Sequence, residues 1–115
     1  LNHLLWADMT WLNRLADETY ALPPLGTPVY DDFNALQARR CDIDQRIIQW
    51  IDSLSDAWLT QEMTWRAKAD NVERRQPRWL LVLHMFNHQT HHRGQATTLL
   101  TQAGLDVGVT DLPRM

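Results

Sequence analysis

The run Leu22-Pro23-Pro24-Leu25-Gly26-Thr27-Pro28 is a stop that no helix can cross, because its prolines remove backbone donors and clash with the turn before them. Two separate apolar stripes flank it. Before it, Leu1, Leu4, Leu5, Trp11, Leu12 and Leu15 recur at helical spacing and predict a helix to about Thr19. After it, Asp31 and Asp32 are natural N-caps for a second helix, whose stripe of Phe33, Leu36, Ile43, Ile47, Trp50, Ile51 and Leu54 predicts an end near Ser55.

Between Trp58 and Gln76 the helical period is lost. Met63, Trp65 and Ala67 alternate with polar neighbours, and Asp70-Asn71 offers a turn before Val72, so a short hairpin or irregular insert is expected there. Pro77 suits the first turn of a last helix, which runs through Leu80, Leu81, Leu83, Phe86, Leu99 and Leu100 to a C-terminal Gly104; residues 105–115 read as an irregular tail. The chain has no repeats, low-complexity runs or linkers. With 115 residues, 44% of them hydrophobic, it reads as one domain spanning residues 1–115 and all-α in class, a helical bundle. It opens at Leu1 already inside an amphipathic pattern, so a helix is expected to be missing in front of it, leaving a groove for that segment or a second copy of the chain to cover.

Charge narrows the function classes. A formal net charge of −3 and eleven scattered Lys and Arg residues offer no basic footprint for direct nucleic-acid binding. No apolar run is long enough for a membrane span or a signal peptide, and the one cysteine, Cys41, cannot close an internal disulfide; a reducing cytoplasm is the expectation. Six tryptophans read as bulky core, since basic residues do not interleave with them as in a base-stacking platform.

Four of the five histidines, His84, His88, His91 and His92, fall within nine residues of the last helix. His88 and His92 stand one turn apart on one face and interrupt its apolar stripe, with Gln95 beside them. Burying two unpartnered imidazoles is costly, and from spacing alone three arrangements relieve the cost: a shared cation, a hydrogen-bonded core pair, or a solvent-lined notch. A metal needs a third ligand. The only other histidine, His3, lies well off the stripe of the first helix, and periodicity does not aim it at the core; carboxylates compete for the place. Gln89 follows His88 where a helical metalloprotease motif places its glutamate base, which excludes that motif. Cys41 has no visible activating partner, Ser53 and Ser55 suit helix capping, and there is no phosphate-cradling glycine loop.

The segment Asn87-His88-Gln89-Thr90-His91-His92-Arg93-Gly94-Gln95, followed by Leu99-Leu100, Gly104 and Thr110-Asp111-Leu112-Pro113, closely resembles the last helix and tail of the DinB family. His3-Leu4-Leu5-Trp6-Ala7-Asp8, continuing to Trp11-Leu12 and Arg14-Leu15, resembles that family's second helix. The resemblance spans nearly the whole chain. It implies a DinB-like up-down four-helix bundle, its first helix absent here, among the damage-inducible DinB/YfiT-like metal-binding proteins. His3, His88 and His92 would hold a divalent transition metal such as zinc, nickel or iron. His91 becomes a neighbour of the site or a surface residue, Gln95 a neighbour placed to orient water or substrate, and His84 structural, while Asp111 and Arg93 match recurrent family positions.

Three histidines leave a coordination position for water or a substrate atom, as in catalytic zinc sites. Related bundles are transferases or isomerases that use bacillithiol, mycothiol or glutathione-like cofactors. The resemblance therefore implies a low-molecular-weight thiol, activated as thiolate against a small-molecule electrophile. The alternatives are a non-catalytic stress-response module acting through a homodimer, or a metal-dependent hydrolase, for which the sequence places no carboxylate base.

Overall fold

A computed structural model describes residues 1–67 and 70–111. In chain order its elements are α1 (Asn2–Leu15), α2 (Phe33–Asp52), α3 (Asp56–Leu59), β1 (Glu62–Arg66), β2 (Glu73–Pro77) and α4 (Arg78–Gln102). The chain divides into two compact units, Leu1–Met85 and Phe86–Met115, the division falling within α4.

In the first unit, α1 stops at Leu15, short of the Thr19 that periodicity predicts. Asp17 takes a left-handed φ of 53°, and the Asn13 side chain accepts from Tyr20 N (2.8 Å) and donates to Tyr20 O (2.9 Å). These bonds turn the chain back where apolar spacing alone would have carried the helix on. The proline segment is then fastened to the start of α1. Asn2 Oδ1 accepts from Val29 N (2.9 Å) and Tyr30 N (3.0 Å), Asn2 Nδ2 donates to Tyr30 O (2.9 Å), and Trp6 Nε1 donates to Pro23 O (2.9 Å). Gly26, at φ +91°, supplies the left-handed residue of a turn closed by Thr27 N donating to Pro24 O at 3.0 Å.

Asp32 caps α2 as expected, accepting from Ala35 N at 2.8 Å. A two-stranded sheet between α3 and α4 corrects the all-α expectation. Glu62–Arg66 and Glu73–Pro77 pair antiparallel, with Met63 opposite Gln76 and Trp65 opposite Arg74. The alternation seen in the sequence is the cause: Met63 and Trp65 lean on the core while their neighbours face solvent. Periodicity gives no sign of the short α3, which is capped by Ser55 accepting from Trp58 N. Pro77 ends β2 instead of opening α4, whose first residue Arg78 donates its backbone N–H to Gln61 O at 2.9 Å.

The core of this unit joins Leu5, Met9, Trp11, Leu12 and Leu15 of α1, Leu36, Ile43, Ile47 and Trp50 of α2, and Leu81 and Met85 of α4. Phe33, Leu83 and Trp79, which belong to the same helices, are exposed. Residues Leu5 to Leu12 of α1 are all buried, Asp8 (1% exposed) and Thr10 among them. The Thr10 hydroxyl donates to Trp6 O (2.9 Å), and the Asp8 carboxylate receives Arg40 from α2, which also reaches Asp44 at 2.7 Å. Arg14 lies between the Trp11 and Trp65 rings (4.8 and 5.1 Å from their centroids) and donates to Arg66 O at 3.0 Å, tying the hairpin to α1. Burial there lowers the Arg14 pKa.

In the second unit α4 ends as the sequence predicts. Gly104, at φ +80°, donates to Thr101 O (2.9 Å) and Leu105 N to Leu100 O (3.0 Å), a Schellman closure. Phe86, Leu99 and Leu100 of its predicted stripe are exposed.

Removing the carboxylate at Asp8 leaves Asp44 as the remaining charge partner of Arg40, so Asp8→Ala is expected to cost about 2 kcal/mol. Urea denaturation checks the value, and Asp8→Leu combined with Arg40→Met is expected to recover a large part of the loss.

Candidate metal centre

On α4, 3.6 residues per turn bring positions 88, 92 and 95 to one side. The Nε2 atoms of His88 and His92 lie 3.1 Å apart, with ring centroids 4.5 Å apart and planes at 73°. Both rings are half-buried. His92 Nδ1 donates to the Gln95 amide oxygen at 2.7 Å. An amide oxygen only accepts, so the proton of a neutral His92 sits on Nδ1 and its Nε2 lone pair is directed at His88.

That arrangement suits a cation. Two nitrogens, each about 2.05 Å from one ion and subtending a tetrahedral angle, stand about 3.3 Å apart. The observed spacing is close to this, and the outer hydrogen bond from Nδ1 is the one that metal-ligating histidines characteristically make.

His3 occupies the second position of α1 and is exposed. His3, like His88 and His92, offers one ring nitrogen of the kind that ligates a metal ion. His91 is exposed, its ring 5.0 Å from that of His92, and it stands beside the pair as a neighbour. His84 packs edge-on against Trp11 at 5.3 Å, in keeping with the structural role expected for it. Arg93 donates to the Thr90 hydroxyl at 3.4 Å. Cys41 is exposed on α2. Of the tail motif, Leu112 and Pro113 lie outside the described residues.

Sequence reasoning missed the work of Asn2 and Trp6, which fix the loop beside His3. No periodic signal marks an asparagine that bonds to backbone 27 and 28 residues away.

With the helices and the histidine pair described, comparison with known proteins defines the class. The profile of the DinB family matches residues 1–115, and the chain belongs to the DinB family. It is 29% identical over 90 residues to the uncharacterised protein YrdA of Bacillus subtilis strain 168, a match that covers 78% of this chain and 47% of YrdA. The chain thus spans about half the length of that relative. No solved structure matches it. Among the described residues, no helix is long and apolar enough to cross a membrane.

Because Gln95 holds His92 in the tautomer that ligation requires, Gln95→Leu is expected to weaken Zn²⁺ binding about 10- to 100-fold. Gln95→Glu, which keeps an acceptor at this place, is expected to stay closer to the parent. Competition against a chromophoric chelator measures both.

Proposed function

We propose that His3, His88 and His92 hold one divalent transition metal, and that the protein is a thiol-dependent transferase or isomerase. The observation that carries this reading is the α4 pair, His88 and His92 with facing Nε2 atoms and His92 bonded through Nδ1 to Gln95; His3 joins them on the resemblance to the family's ligand pattern. Membership of the DinB family supports the metal-binding reading.

Three neutral imidazoles cancel none of a divalent cation's charge, so an anionic fourth ligand such as a thiolate is favoured. When bound, the metal supplies Lewis acidity that lowers the pKa of a thiol brought beside it. The chain's own contribution is positional. His88 and His92 are set one turn apart by α4, and Gln95 fixes the orientation of the second ring. The thiol proton leaves to solvent, and the sulfur forms a bond to carbon as a halide departs, or as an epoxide C–O bond breaks and the resulting alkoxide takes a proton from water. Zinc, nickel and ferrous iron all accept such nitrogen ligands. A hydrolase reading is weaker because water activation calls for a base, and the residue following His88 is Gln89.

Elemental analysis is expected to give about one transition metal per chain in the parent protein, lost in His88→Ala and His92→Ala and reduced in His3→Ala. The loaded protein is expected to conjugate one of a panel of low-molecular-weight thiols to an aryl halide or epoxide, and the metal-depleted protein is not. Absence of metal-dependent conjugation across the panel removes the transferase reading and leaves a non-catalytic metal-binding module.

A further inference from the structure

A pocket of about 440 Å³ lies within the first unit, walled by His3 and Trp6 of α1, Gly26, Thr27 and Pro28 of the loop, and Leu36 of α2. Leu1 adds a further apolar wall, and Asn2 is the remaining lining residue. Its size is that of a pocket for a small organic molecule.

Two properties give it a chemical preference. Among the described residues, no carboxylate, lysine or arginine side chain lines it. The Asn2 amide is already committed on both sides, Oδ1 to Val29 N and Tyr30 N and Nδ2 to Tyr30 O. The indole N–H of Trp6 is likewise committed to Pro23 O. What faces an occupant is an indole ring, a proline ring, leucine side chains, a glycine without a side chain, and the imidazole of His3. The same hydrogen bonds pin the loop to α1, so the walls are formed before anything binds and little ordering is required of them.

We propose that this pocket binds the uncharged, largely apolar body of the substrate, with His3 marking the wall at which the reacting end sits. Along the indole, proline and leucine walls a carboxylate or phosphate would lose water and meet no lysine or arginine among the described residues, so such groups on a substrate or thiol stay at the His3 end or outside. The pocket stands on its own walls; only the role given to His3 rests on the proposed metal site.

The test uses N-phenyl-1-naphthylamine, a neutral fluorophore, and 8-anilino-1-naphthalenesulfonate, the same ring systems carrying a sulfonate. In metal-depleted protein, saturable binding of one neutral probe per chain is expected, at least about tenfold tighter than the anionic one, the smallest factor that an unpaired buried charge would impose. Thr27→Trp puts bulk into the pocket from an exposed loop position and is expected to lose at least about tenfold in probe affinity. Circular dichroism and urea denaturation of this variant verify that it folds. His88→Ala, measured for metal and probe in the same preparation, is expected to lose the metal and keep the probe. No saturable binding of the neutral probe, equal or tighter binding of the anionic one, or full binding by folded Thr27→Trp each overturns the pocket. A parent protein that takes up no metal but binds the neutral probe, with loss in Thr27→Trp, overturns the metal reading and leaves the pocket standing.

Discussion

A helix buried on every side from Leu5 to Leu12 has no solvent face on which to carry a charge, yet Asp8 sits in the middle of that stretch. The carboxylate is tolerable only with a cation delivered to it, and Arg40 of α2 is that cation. Because a guanidinium has fixed donor geometry, the pair sets the registration of α2 against α1 as well as neutralising the charge. Apolar contacts between Leu5, Leu12, Ile43 and Ile47 hold the helices together without specifying register so narrowly. The loop anchored by Asn2 and Trp6, and the placement of His3 one residue into α1, both depend on where that helix is fixed.

Much of this fold is legible in the sequence, for identifiable reasons. The proline segment separates α1 from α2, Asp32 caps α2, and Gly104 closes α4, because each is a local backbone event with a dedicated residue. The hairpin is readable from the alternation of Met63 and Trp65. The apolar stripe of α4 misleads: Leu81 and Met85 are buried, whereas Leu83, Phe86, Leu99 and Leu100 are exposed. Periodicity reports which residues share a face and not whether anything covers that face. The wheel of α1 is a better guide at its start: it sets His3 off the stripe, and His3 is exposed, ahead of the stretch from Leu5 to Leu12 that is buried all round.

The histidine pair shows the same division between local and non-local information. His88, His92 and Gln95 belong to one helix, and an i, i+4, i+7 spacing is enough to bring them together. The direction of the Nδ1 hydrogen bond is not readable, since a glutamine one turn along is as often solvated as bonded. Nothing in the α1 sequence distinguishes a ligating His3 from an exposed terminal residue; that assignment comes from the family's pattern.

The tryptophans, which composition marks as bulk for the core, are arranged in contacts that span elements. Trp65 of β1 meets Trp11 of α1 edge-on with centroids 5.3 Å apart, and Trp58 of α3 meets Trp50 of α2 at 6.0 Å. Indoles this close couple their electronic transitions, and one couplet joins the stretch between α2 and α4 to α1, the other joins it to α2. The docking of that stretch is therefore written into the protein's near-ultraviolet optical activity: undocking of the hairpin would extinguish one couplet, and slippage of α3 the other, while both helices stayed intact.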